Sequence, residues 1–246
     1  MNALLAQFAG LKFTIDKTFT TSLQINDAEQ GYLAVSYANP PNNNFSANNL
    51  YVFNAQEQSI TIPATPAIAT ATAPASGGQV ISQTGGATFG AVPYVIAYSL
   101  NPAVTTAGVT TYPDLVSTVY IPGAPITDPT QIQLFSPSLT INSAQAQLIS
   151  FQYALPPGFD PSQGAWIGVW AGHKAPYGGS PNASGAITLP QNTGSSPVLM
   201  SGSPLANNAP YTAALFSSGW SSNPATLPKL NVATYIYFTT QGPIGG

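Results

Sequence analysis

Apolar and polar residues alternate in short runs along the whole chain, and Pro, Gly or Asn closes each run. A period of two belongs to strands with one face buried, and the runs are rich in the β-branched and aromatic residues that pack well on a pleated surface. Strands are therefore expected near residues 11–16, 20–26, 31–37, 49–54, 58–62, 78–82, 93–99 and 115–121. In the second half they are expected near 131–135, 138–142, 147–153, 165–171, 185–189, 196–200, 210–217 and 230–238. Runs such as Asn39-Pro40-Pro41-Asn42-Asn43-Asn44 and Pro156-Pro157-Gly158 cannot continue a central strand. No long helical period occurs, and 24 prolines with 22 glycines oppose one.

The pattern repeats at an offset of 116 residues. Leu23-Gln24-Ile25-Asn26 returns as Leu139-Thr140-Ile141-Asn142, and Tyr37-Ala38-Asn39-Pro40-Pro41 as Tyr153-Ala154-Leu155-Pro156-Pro157. Leu50-Tyr51-Val52-Phe53 falls on Trp166-Ile167-Gly168-Val169 without a gap. Pro93-Tyr94 matches Pro210-Tyr211 one residue out, and Val116-Ser117-Thr118 matches Val232-Ala233-Thr234. A repeat of about 115 residues has the size of a compact domain, not of a solenoid unit. The expectation is an all-β protein of two tandem antiparallel β-sandwich domains, immunoglobulin-like or jelly-roll, related by internal duplication. The first spans residues 1–122 and the second 126–246, joined by the short Pro122-Gly123-Ala124-Pro125 linker. Pro63 to Gly90, rich in Ala, Thr and Pro at its start, is expected to hold an extended loop, with Ala171 to Gly185 as its counterpart.

Charge narrows the possible partners. The 246 residues include four lysines, no arginine, seven acids and one histidine, so only 4% are charged, where an ordinary domain has about 25%. The chain lacks the cations to neutralise several phosphates, which argues against nucleic acid, and it has no polybasic segment for an anionic membrane. Disorder is opposed by a 44% hydrophobic content with 12 Tyr and 11 Phe. No apolar run reaches the roughly 18 residues of a spanning helix, and Met1 to Leu11 has neither a basic lead nor a cleavage site, so no signal peptide is recognised. Each half is large enough to bury a core without staples, in keeping with zero cysteines.

In the second half, Phe151-Gln152-Tyr153-Ala154-Leu155-Pro156-Pro157-Gly158 is followed by Trp166-Ile167-Gly168-Val169-Trp170. This resembles the SKICH-type immunoglobulin-like module, which pairs a Tyr-containing strand with a Trp-Ile-Gly-hydrophobic-aromatic strand across a proline-containing loop. The likeness covers about 35 residues of the second half and, more faintly, Val35 to Phe53. The acid usual before the tryptophan in that family is replaced by Ala165. The resemblance implies a sandwich of seven to eight strands used for association, without catalytic residues.

Candidate chemistry is sparse. His173 is the only imidazole, which excludes a two-histidine metal site, and no G-x-S-x-G turn offers a nucleophile. Beside Lys174 in a glycine-flanked loop, it is expected to be solvated. The acids Asp16, Asp27, Glu29, Glu57, Asp114, Asp128 and Asp160 are scattered, and Asp27 with Glu29 reads as turn chemistry rather than a calcium site. No catalytic residue, metal or cofactor is assigned. Two glycosylation sequons, Asn44-Phe45-Ser46 and Asn182-Ala183-Ser184, are of the kind expected by chance in an Asn- and Ser-rich chain. The aromatics are the better prospect for a ligand. Aligned at the constant offset, Trp170 replaces Asn54, which marks it as an exposed platform that Tyr177 and Trp220 join. Such a platform stacks on sugar rings, a lectin-like use.

Two functions are weighed. One is a non-enzymatic structural protein that packs against its own copies in an extracellular assembly: a virion, filament, sheath or surface-layer subunit. An uncharged Thr/Asn/Gln/Ala surface costs little to desolvate, interfaces are depleted in Lys, Glu and Asp, and edge strands without lysines invite pairing. Met1–Gly10, Gln241–Gly246 and the Ala/Thr/Pro loop are then candidates for strands donated to a neighbour. The other is a carbohydrate-binding module using Trp170, Tyr177 and Trp220.

Overall fold

The computed structural model describes residues 10–29, 31–40, 47–55, 59–63, 67–72, 77–82, 92–123, 126–176, 179–189, 191–200 and 202–242. Its first ten strands are β1 (Lys12–Thr20), β2 (Ser22–Glu29), β3 (Tyr32–Ala38), β4 (Asn49–Asn54), β5 (Ala67–Thr72), β6 (Gly77–Ser82), β7 (Tyr94–Ser99), β8 (Val104–Thr106), β9 (Val109–Thr111) and β10 (Leu115–Ile121). The remaining strands are β11 (Gln133–Phe135), β12 (Ser138–Gln145), β13 (Leu148–Ala154), β14 (Trp166–Ala171), β15 (Ala183–Ala186), β16 (Thr193–Leu199), β17 (Pro210–Phe216) and β18 (Val232–Gln241). The only helical elements among the described residues are three 3₁₀ turns, Pro129–Gln131, Pro161–Gln163 and Pro224–Thr226, each opened by proline.

Two three-stranded sheets, β2-β3-β6 and β12-β13-β16, face two five-stranded sheets, β11-β10-β7-β4-β5 and β1-β18-β17-β14-β15. All pairings are antiparallel, and the protein is all-β. In each half the strand order, β2-β3-β6 facing β10-β7-β4-β5 and β12-β13-β16 facing β18-β17-β14-β15, follows the A-B-E and G-F-C-C′ order of an immunoglobulin-type sandwich. Tyr211 stands near the start of the F-type strand β17, and its hydroxyl takes the Ala206 N–H at 2.8 Å. That contact has the form of the tyrosine corner of such sandwiches.

The core lies between the sheets. Leu23, Leu33 and Val35 meet Leu50, Val52, Ile96 and Val119 in the first half. Leu139, Ile149 and Phe151 meet Ile167, Val169, Ala213 and Leu215 in the second, and one continuous apolar cluster runs through both. The strand bounds recur at the expected spacing: β2 and β3 begin at residues 22 and 32, β12 and β13 at 138 and 148. A bulge between Ile25 and Asp27 recurs between Ile141 and Ser143.

Several expectations are corrected. Residues 59–63 form no strand, whereas Ala67–Thr72, inside the stretch read as loop, is β5. The β8–β9 hairpin was not foreseen. Ala124 and Pro125 of the linker, the sequon Asn44-Phe45-Ser46 and the termini at 1–9 and 243–246 lie outside the described residues.

The pairing also does not follow the boundary drawn between residues 122 and 126. β1, from the start of the chain, is hydrogen-bonded to β18, and β11, from the start of the second half, to β10. Each five-stranded sheet thus takes its edge strand from the other half.

Candidate functional site

The exchange of β1 and β11 makes a seam between the halves, and buried polar residues of both halves meet there. One residue, Thr21, separates β1 in the second half's sheet from β2 in the first half's. Thr21 is fully buried, and its N–H and Oγ1 both donate to Ala233 O, at 3.1 and 2.8 Å. Its own carbonyl accepts from Ser117 Oγ at 3.1 Å, while Thr20 Oγ1 donates to Pro137 O at 2.7 Å. The crossing is therefore pinned from both halves.

Along the seam β1 runs in register with β18 from Lys12 opposite Gln241 to Thr20 opposite Thr234, with one bulge between Ile15 and Lys17. Phe19 stacks on Tyr235 at 4.4 Å and meets Tyr237 edge-on at 5.0 Å, with Lys17 Nζ 4.8 Å above its ring. Asp16 Oδ2 accepts from Thr239 Oγ1 at 2.7 Å and lies 3.1 Å from His173 Nε2. His173 was expected to be merely solvated. Instead its ring lies flat on Tyr237 at 4.9 Å, half-exposed, and bridges β1 to the second sandwich.

Asp114 is the other seam residue, 5% exposed at the foot of β10. Its Oδ1 accepts from Ser217 Oγ (2.6 Å), Ser218 Oγ (2.7 Å) and Asn231 Nδ2 (3.2 Å), and its Oδ2 from Asn101 Nδ2 (2.9 Å). Three of these donors belong to the second half. A buried carboxylate is retained here by hydrogen bonds from neutral groups, with no cation paired to it among the described contacts.

Trp170 does not form the exposed platform expected of it. Trp170 is 1% exposed, inside a cluster with Trp166, Ala214, Phe216, Leu227, Val232 and Tyr235. This cluster covers the face of β14, β17 and β18 that points away from the other sheet. Trp166 stacks on Phe216 at 3.8 Å and 4° and donates to Ser218 O at 3.1 Å. Trp220 is half-buried against the same cluster, and Tyr177 lies outside the described residues.

The exposure expected of Trp170 fails because of register. The β13–β14 connection has eleven residues, 155–165, where the β3–β4 connection has ten, 39–48. Asn49 opposes Ser99, and Trp166 opposes Phe216 at the matching place, so Trp170 corresponds to Phe53 rather than to Asn54. A one-residue slip moves a strand side chain to the other face.

Among the described residues, no three or more His, Asp and Glu side chains group to hold a metal. Burial pushes the phenols of Tyr51, Tyr98, Tyr120, Tyr153 and Tyr235 upward. The hydrogen bond to Asp27 carries Tyr32 to about 12. These phenols are poor bases at neutral pH. Asp128 and Asp160 are held below the usual carboxylate range because each accepts a hydroxyl and an N–H, from Thr130 and from Ser162. Asp128 caps the Pro129–Gln131 turn, and Asp160 makes the same contacts at Pro161–Gln163. That is turn chemistry, expected from the sequence only of Asp27 and Glu29. The clefts are shallow and mixed; one of about 220 Å³ lies between Ile62, Tyr112 and Phe159, bordered by Asp160. Among the described residues no helix is long and apolar enough to cross a membrane.

The sequence signal that marked the seam was weak: Thr21, Asp114 and Ser217 are ordinary polar residues in β-rich segments. Only Asp114, an acid directly before an apolar run, hinted at burial. No protein-family model matches the chain, and a search of curated proteins found no match.

Proposed function

We propose that this protein is a non-enzymatic structural subunit that associates with copies of itself into an extracellular assembly or virion. The observation that carries the reading is a folded double sandwich in which several outer strands are free of ions. β12, β15 and β16 carry no charged residue at all, and Leu199 on β16 is 65% exposed beside Pro197. Burying such strands strips water from few ions, which is the main cost that keeps ordinary protein surfaces apart. The SKICH-like run, the immunoglobulin-type strand order and the recurring strand bounds support two copies of one ancestral association module.

One premise changes. The edge strand β1 does carry lysines, Lys12 and Lys17, together with Asp16. Charge at an edge blocks further strands from pairing there, so contacts between copies are assigned to the uncharged strands and not to the free side of β1. Light scattering and electron microscopy over a range of concentration and pH test the reading. Ordered assemblies are expected, and a protein that stays monomeric when concentrated defeats it.

A further inference from the structure

Resting on that self-association reading, we propose that β1 is a transferable strand: in the assembly it leaves β18 of its own chain and seats on β18 of a second copy. The partner is another molecule of this protein, and the seat is the one β1 already fills.

The first support is connectivity. β1 pairs with no strand of the half that it begins, and Thr21 alone ties it to β2. Its ladder, its aromatic stack and the Asp16 contacts are made with β18 and the His173 loop, and its ends are tied to the β12 side through Leu11 N–H to Ala144 O and Thr20 Oγ1 to Pro137 O, again in the second half. Chemically this is a contact between two bodies that happen to share a chain. Any other copy offers the same seat, so transfer replaces each ladder contact by an identical one; its cost is the release of Thr21 from Ala233 O, and the balance is left to concentration. This is the low-cost route by which identical elements swap between molecules.

The second support is burial. Most of β1 is exposed, Thr14 to Thr18 in particular, and only Phe13 and Phe19, with Leu11 just before the strand, pack on the cores, each partly buried. The second sandwich keeps its own buried cluster when β1 is away. What it loses is cover on the ten-residue edge of β18, and a bare edge of that length is a template for another strand. The third support is the charge on β1. Lys12, Asp16 and Lys17 guard its free side, so a copy cannot simply add beyond β1. It has to take β1's place.

The chain has no cysteine, so introduced thiols report without background. Lys12 and Gln241 are register partners, both exposed. In the double variant Lys12→Cys with Gln241→Cys, oxidised as a monomer, β1 is locked at home. Assembly is expected to fall at least tenfold and to return on reduction. Mixed copies carrying only Lys12→Cys or only Gln241→Cys are expected to form a disulfide-linked pair once assembled. If the locked protein assembles as fast as the reduced one, and mixed copies do not cross-link, transfer is wrong while self-association stands. If neither the reduced variant nor the unaltered protein assembles, both readings fall. A Thr14→Cys and Thr239→Cys pair, one step along the same ladder, repeats the test should the first disulfide strain the fold.

Discussion

The outer faces of the two five-stranded sheets solve one problem in two ways. In the first half Tyr51 and Phe53 pack with Tyr112 and Tyr120, and in the second Trp166 and Trp170 pack with Phe216 and Tyr235. The register equates Tyr51 with Gly168, since Tyr51 opposes Ala97 and Gly168 opposes Ala214. So the space that one half fills with a tyrosine is filled in the other by two indole rings closing over a glycine. An added Cβ at Gly168 would meet Trp170 at 2.6 Å and Trp166 at 2.8 Å. The lesson is that the two faces are filled by different residues at matching places.

The sharpest way to break this comparison is to exchange the residues. Gly168→Tyr, which installs the first half's residue, is expected to prevent the second half from folding. Gly168→Ala should cost about 3 kcal/mol by overpacking, and Trp166→Ala about 4 kcal/mol by leaving a cavity. For a chain of this size that lowers Tm by roughly 10 °C, read by calorimetry. A Gly168→Ala protein as stable as the parent would show that the rings move aside, and the volume argument would fail.

Next in size is the seam. Asp114 and Asn231 occupy matching places, each directly before the last long strand of its half, yet only the acid gathers four donors. Asp114→Ala removes the acceptor of Ser218 Oγ and Asn101 Nδ2 and one acceptor each of the buried Ser217 Oγ and Asn231 Nδ2, and should cost on the order of 3 kcal/mol. Asp114→Asn keeps the shape and one acceptor oxygen, and should cost about 1 kcal/mol. Equal losses in the two variants, measured by denaturant unfolding, would mean that packing and not hydrogen bonding holds Asp114.

The sheet layout was legible because alternation of large apolar residues is a strong local signal, as in Leu33-Ala34-Val35 and Leu139-Thr140-Ile141. β5 was not, because Ala67-Ile68-Ala69-Thr70-Ala71-Thr72 is small and weakly strand-forming and lies among prolines. The exchange of β1 and β11 was invisible, since nothing in a strand's own residues names its partner. The site reading failed at Trp170 over a single extra loop residue, which alternation within β14 could not reveal because both of its faces are buried. His173 and Asp16 are far apart in sequence, and only the exchange of β1 brings them together.

The loops before β10 and β18 differ more mildly. In the second half the loop lies down over the sheet, with Leu227 buried in the tryptophan cluster. In the first it rises into the β8–β9 hairpin, turned by Ala107 and Gly108 at positive φ, with Val109 64% exposed. Leu227→Ala should cost about 2 kcal/mol, and Val109→Ser less than about 0.5 kcal/mol. If Val109→Ser instead weakens assembly while leaving the monomer's Tm alone, the hairpin joins the contacts between copies.

The smallest effect expected is with pH, and it separates the halves again, because both capping acids, Asp128 and Asp160, stand beyond the first half's last strand. Their carboxyls titrate lower in the folded protein than in the unfolded chain, since Thr130 and Ser162 hold the charged form. A depressed carboxyl stabilises the fold above its unfolded value and loses that contribution as the pH falls through its folded value. Stability should therefore be level from neutral pH down to about 5 and decline only below about 4, where an unfolded Asp begins to bind protons. Both groups are solvent-screened, so the decline is shallow. Asp128→Ala with Asp160→Ala should flatten it further, and thermal scans at stepped pH would read the difference. A steep loss between pH 5 and 7 would mean that groups other than these two acids govern the acid response.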